Sequence, residues 1–314
     1  MEMSLSKTAQ HYGSIFELAL QKIRYSLRGR FSHANEQSIL ARYIEQLLPP
    51  DQPRTVVDIG AGNGVRWSNS YALLLAGWKG LGIEADRQKY ELLAKVYSKF
   101  PKAHASNSLA DPNNISSLLR DFEIEENFGV LCLDIDGNDY WVLDAILSHF
   151  RPGLVVSEIN ENIPPPLRFV VKFDPNFQLR YHFYGYSIAA LEDLCARHDY
   201  GILELEYNNA FLAPRELAAA QFRDATSVYR EGYLDRPERK ERFAFNLDME
   251  ALHSLSPEAG IRFLEEFYAS DAGNYYLAAD KQSLADLIVG SADVAAGSAD
   301  DKDADEQFAL RESS

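Results

Sequence analysis

The stretch CLDIDGNDYW, positions 132–141, runs out of an apolar segment into Asp134, Asp136, Asn138 and Asp139. Like charges crowded at the end of a buried run are costly to desolvate and repel one another, so the cluster calls for a compensating partner. Two chemistries suit it. In the first, Asp136 or Asp139, its pKa lifted by acidic neighbours, is a general base that strips the proton from a hydroxyl, with His182 of LRYHFYGY as the rival base. In the second, Asp136 joins Glu158 and Asn160, from SEIN at the end of the next apolar run, in an all-oxygen set for a divalent cation such as Mg²⁺. The cation would offset the crowded charge and lower the pKa of a coordinated hydroxyl. A plainer role competes with both: Asp134 and Asn138 are residues that brace turns through side-chain to backbone bonds.

A second constellation lies upstream. VVDIGAGNG places Asp58 two residues before Gly60, with Gly62 and Gly64 at alternate positions. Glycines there let the chain turn tightly and approach a ligand with no Cβ in the way. Asp58 is placed to meet a cationic amino group, and Glu84, about twenty residues beyond the glycines, to accept both hydroxyls of a ribose. A nicotinamide-binding domain would put an acid in the same place, although its glycines follow GxGxxG spacing and these follow GxGxG.

Both constellations sit at ends of apolar runs that alternate with helical patterns. The periodicity predicts a helix over 35–48, strands over 54–58, 80–84, 103–106, 128–134 and 153–158, and helices over 68–76, 87–100, 115–122 and 140–149 between them. Such alternation implies a parallel sheet covered on both faces, with ligands gathered at the carboxyl ends of its strands. Beyond a helix over 188–198, GILELEYNNAFLAP reads as two runs joined at Asn208-Asn209, a pair that tolerates the positive φ of a tight hairpin. The expected fold class is therefore α/β: a doubly wound, mostly parallel seven-stranded sheet ending in an antiparallel hairpin, with extra helices at both ends.

The glycine motif with its second-strand acid resembles class I S-adenosylmethionine-dependent methyltransferases over roughly 55–214. That resemblance implies S-adenosyl-L-methionine as cofactor, held by Asp58, Gly60, Gly62, Gly64 and Glu84. Asp134 closes the fourth strand in the same set, and Ser106 and Asn107 edge the adenine. DIDGNDYW, EIN at 158–160, YGYSIAALEDL at 184–194 and NNAFLAPREL together resemble the FkbM-type subgroup. Its members are associated with O-methylation of hydroxyls on secondary metabolites and sugars. The SEIN strand end and Arg66-Trp67 after the glycines depart from the commoner pattern, which bears on the acceptor more than on the reaction. The expected partner is a small hydroxyl acceptor, a glycan or glycosylated metabolite among the options. Two other readings stand beside it: a noncatalytic subunit that keeps the fold, and a nicotinamide-dependent oxidoreductase.

The 314 residues carry a net charge of −16, which argues against a nucleic-acid backbone as main partner. The apolar runs are far shorter than the roughly 20 residues that span a bilayer, and the start lacks a signal peptide's apolar core, so membrane association is not expected and the protein is read as cytoplasmic. Cys132 and Cys195 fall in core patterns with no CxxC spacing. The expected organisation is a helical extension over 1–50, the cofactor-binding domain over 51–216, a helical extension over 217–284 and a disordered acidic tail over 285–314. Lys22, Arg24, Arg28 and Arg30 mark a basic amphipathic helix in the first extension, read chiefly as a solvated face. The proline-punctuated, aromatic stretch 162–186 is a candidate lid, offering Arg168, Lys172, Tyr181 and Tyr184 to an acceptor, or a packed excursion. Oligomer formation is left open.

Overall fold

The structure, a computed structural model, describes residues 31–288. Five strands, β1 (Thr55–Ile59), β2 (Lys79–Ile83), β3 (Ala103–Ser106), β4 (Val130–Leu133) and β5 (Leu154–Glu158), pair in parallel in the order β3-β2-β1-β4-β5. β7 (Tyr200–Glu206) and β8 (Asn209–Pro214) complete a seven-stranded sheet, with β8 inserted antiparallel between β5 and β7. This order, parallel up to its terminal antiparallel hairpin, is that of the Rossmann-like methyltransferase fold anticipated above.

The central strands read as unbroken apolar runs because both faces are covered. Val57, Ile59, Leu131 and Leu133 enter one core, packed by α4 (Ile115–Asp121), α5 (Asp139–Leu147) and α6 (Ile188–Arg197). Their neighbours Val56, Val130 and Cys132 enter the other, packed by α1 (Glu36–Leu47), α2 (Tyr71–Leu75) and α3 (Arg87–Tyr97). Alternate residues thus go to opposite layers, the period-2 rule of a strand. Cys132 and Cys195 are free and buried, and burial holds both thiols above their ordinary range.

Three expectations change. First, the hairpin turns at Tyr207-Asn208, since Glu206 already faces Asn209, and the positive φ of 57° falls on Tyr207. Packing outweighs local preference here: the Tyr207 hydroxyl is bonded to Glu238 and its ring lies under Arg236 and Arg242. Second, the 162–186 stretch contains β6 (Arg168–Val171), which pairs antiparallel with β9 (Tyr275–Ala278) in a two-stranded sheet. It packs on a third core containing Phe169, Phe183, Leu264 and Tyr268. Third, the segment after residue 217 is not simply helical: besides Ala225–Tyr229 and Pro257–Phe267 it holds a 3₁₀ stretch, Ala244–Ser254, and β9. Helix covers 281–288, across the expected start of the tail. The basic helix expected around residues 22–30 and the acidic stretch from 291 lie outside the described residues.

Candidate active site

A cleft of about 730 Å³ opens over the carboxyl ends of the parallel strands. Asp58, Gly60, Gly62, Glu84, Asp134, Asp136 and Glu158 all line it, so the two constellations of the sequence face one space. β1 and β4 are adjacent in register, which carries Gly60 against the backbone of Asp134. A Cβ on Gly60 would lie 1.7 Å from the Asp134 carbonyl oxygen, and its φ of 82° is one that side chains disfavour. The glycine is therefore what lets the loop close onto β4. Gly62 (φ 56°) has open space above it and donates its N–H to Glu84 Oε2 at 2.8 Å. Gly64 does not line the cleft: it packs under the loop, where a Cβ would press on Leu93 and Tyr97.

Glu84 accepts a second backbone bond from Asp86 N–H, 2.8 Å at Oε1, so its carboxylate is oriented by the chain before any ligand arrives. Asp58 accepts from Ser70, whose hydroxyl also contacts Tyr97 at 3.2 Å. Burial pushes Asp58 up to about 6, the Ser70 bond pulls it down and the charge of Glu84 adds to the rise. Ser106 and Asn107 stand behind the wall. Ser106 bonds Ser108 at 2.8 Å, and Asn107 Nδ2 donates to the Glu84 carbonyl at 2.8 Å, so it is Ser108, Leu109 and Ala110 that border the cleft.

The acidic turn is rearranged relative to the sequence reading. Asp139, a candidate base, is buried and does not line the cleft. Its carboxylate accepts from Ile135 and Gly137 N–H, both at 2.8 Å, and so braces the turn that precedes α5. Burial, reinforced by Asp134, lifts Asp139 to about 7 against those two bonds. Asn138 ties the turn to the 162–186 stretch, donating to the Asp174 carbonyl at 2.8 Å. Asp136 opens on the cleft with φ of 59°; burial raises its pKa and Lys89 opposes the rise.

Asp134 takes the place foreseen for Asn160. One oxygen each of Asp134, Asp136 and Glu158 lie within 4.8 Å of one another, a grouping open to a hard cation. Asn160 is buried elsewhere, its amide donating to the carbonyls of His182 (2.9 Å) and Tyr184 (3.1 Å) and its oxygen accepting from Asn162. Asp134 is exposed to the cleft, yet desolvation by the surrounding walls raises it to about 6, with Asp136 adding and Glu158 opposing. Glu158, which accepts from Asn208 Nδ2 at 2.6 Å, is driven well above the carboxylate range by burial and then by the charges of Asp134, Asp139 and Asp136. His182, the rival base, does not line the cleft: its buried ring contacts Asp248 Oδ1 at 3.0 Å and Asn162 at 3.4 Å. Those bonds keep its ring out of the cleft lining.

Of the four acceptor candidates in the 162–186 stretch, only Tyr184 lines the cleft. Arg168 is paired with Asp193 at 2.6 Å, Lys172 lies over Tyr276, and the Tyr181 hydroxyl donates to the Phe245 carbonyl at 2.7 Å. Sequence reasoning missed Glu161, which accepts from Tyr184 (2.5 Å) and Asn246 (2.7 Å), and missed Arg242, Phe243 and Phe245, which line the mouth from the C-terminal segment. Glu161 was legible only as a polar residue just past SEIN; the other three carry no local signal at all.

No family model and no curated protein matches the sequence. Among solved structures, this chain is similar to a magnesium protoporphyrin IX methyltransferase from Synechocystis PCC 6803 with bound SAM (11% identity, 57% of this chain and 76% of that one, TM-score 0.36). It is also similar to a TehB-like SAM-dependent methyltransferase from Corynebacterium glutamicum (12%, 63% and 96%, 0.37) and an O-methyltransferase from Bacillus cereus in complex with SAH (16%, 58% and 80%, 0.37). The fold assignment rests on this chain's own strand order.

Proposed function

We propose that this protein is an S-adenosylmethionine-dependent O-methyltransferase of FkbM-like type, acting on a hydroxyl of a small, sugar-containing or related metabolite. The observation that carries the reading is the convergence of Asp58, the Gly60–Gly62 turn, Glu84 and the acidic turn on one cleft. The residues fit the cofactor: the turn leaves space where a Cβ would stand, Glu84 offers remaining lone pairs to a ribose, and Asp58 a carboxylate to an ammonium. When bound, the cofactor supplies an electrophilic methyl group on a cationic sulfonium. The acid-rich floor suits that cation.

The chain's own task is to align a hydroxyl and remove its proton. Asp136, open to the cleft and with its pKa raised by burial, accepts the proton in the simpler route. In the second, favoured by the grouping of Asp134, Asp136 and Glu158, these three hold a divalent cation that would make a nearby hydroxyl more acidic. Isothermal titration with S-adenosylmethionine is expected to show binding by the wild type and a loss of about tenfold or more in Glu84→Ala, the scale of a pair of charge-assisted hydrogen bonds. Equal affinity in the two proteins would remove the ribose assignment.

A further inference from the structure

Seven carboxylates line the cleft (Glu36, Asp58, Glu84, Asp134, Asp136, Glu158, Glu161), against the cations Arg66, Lys89 and Arg242. Lys89 answers to the floor, since its charge bears on Asp134 and Asp136. Arg66 and Arg242 do not. Among the described residues neither has a carboxylate within ion-pair distance, although most of the other described arginines have one in this acidic chain. Each is held instead by an aromatic face: Arg66 lies 3.8 Å from the centroid of Trp67, and Arg242 4.6 Å from that of Tyr207. His33 joins them, its ring meeting Trp67 edge-on at 5.2 Å while its carbonyl accepts from Arg242 Nη2 at 3.1 Å. The contacts form a continuous arc, Arg66–Trp67–His33–Arg242, whose four residues all line the cleft. A guanidinium stacked on a ring keeps its donors directed and loses little freedom on binding an oxyanion.

From this arc, and resting on the function proposed above, we infer that Arg66 and Arg242 form an anion-accepting subsite, so that the acceptor bears a carboxylate or phosphate group apart from the hydroxyl that is methylated. The polarity of the cleft then orients the substrate. An anionic group is drawn to the guanidiniums of Arg66 and Arg242, which leaves the uncharged hydroxyl end to reach the strand tips.

The test is calorimetric titration of the full chain with glucose, glucuronate and glucose 6-phosphate, each with and without saturating S-adenosylhomocysteine. One or both anionic sugars should bind at least about tenfold tighter than glucose, with the excess shrinking as salt rises. Whichever is preferred tells carboxylate from phosphate. The excess should vanish in the Arg66→Gln/Arg242→Gln double variant, with S-adenosylhomocysteine affinity unchanged. Equal binding of the three sugars, or no binding of any, overturns the subsite; so does a double variant that keeps the excess or instead loses S-adenosylhomocysteine, which would assign the guanidiniums to the cofactor's carboxylate. Should the wild type fail to bind S-adenosylhomocysteine while the anion preference persists and depends on both arginines, the methyltransferase reading falls and the anion site stands.

Discussion

Asp58, proposed above to meet an ammonium group, also bears on stability. Its carboxyl is buried beneath the cleft and raised from 3.8 to about 6, so between those values the folded protein holds more protons than the unfolded chain. Stability then falls as pH rises through that window and levels off above about 6. A rise of this size corresponds to at most about 3 kcal/mol. Asp58→Asn removes the ionisation and keeps an acceptor for Ser70. The variant is expected to gain thermal stability over wild type as pH goes from 4 to 6.5, while losing affinity for a cationic amino group. Melting curves across that range check this; parallel curves for the two proteins would disprove it. Asp134 and Asp139 tilt the wild-type curve the same way, so the difference between proteins is the informative quantity.

Among the elements, the β6–β9 ribbon explains why the 162–186 stretch is no simple lid. Phe169, Phe183 and Tyr268 pack edge-to-face or tilted against one another, and the Tyr268 hydroxyl donates to the His182 carbonyl at 2.6 Å. This core backs the cleft-lining Phe177, which lies against Gly137 of the acidic turn. Leu264, fully buried on the helix Pro257–Phe267, is its keystone. Leu264→Ala is expected to cost about 2–5 kcal/mol, the range for a buried leucine, and to loosen acceptor binding while cofactor affinity holds. Denaturant melts and paired titrations separate the two effects; a loss confined to cofactor binding would contradict the placement.

For the molecule as a whole, the acidic balance has a local consequence. Oxygens of Asp134, Asp136 and Glu158 lie within 4.8 Å of one another, and beyond burial it is this mutual charge that raises Asp134 and Glu158. A bound divalent cation would offset that repulsion and stabilise the fold by mass action, about 2.7 kcal/mol at a hundredfold excess over Kd. Mg²⁺ or Mn²⁺ is therefore expected to raise the melting temperature of wild type and not of Asp136→Asn, and chelation to abolish methyl transfer. Full turnover after thorough chelation would leave Asp136 as base and discard the cation. Among the described residues no helix is long and apolar enough to cross a membrane.

The local sequence was sufficient for the sheet and for bringing Asp58, Gly60, Gly62 and Glu84 to the cleft. Short continuous apolar runs, helical patterns between them and a GxGxG turn after Asp58 are short-range signals, and β1 through β5 follow them within a few residues. Which side chains of the acidic turn face the cleft was decided only in three dimensions. Asp139 turned inward because the turn's N–H groups needed acceptors, Asn160 and His182 were drawn into neighbouring packing, and Asp134 came forward to meet Glu158 across adjacent strands. The mouth was wholly a tertiary product. Arg242 lies 176 residues from Arg66 in the chain, and only the folding of the C-terminal segment over the β7–β8 turn brings both to one rim. Periodicity records which face of an element is buried, and carries no information about which distant element will cover it.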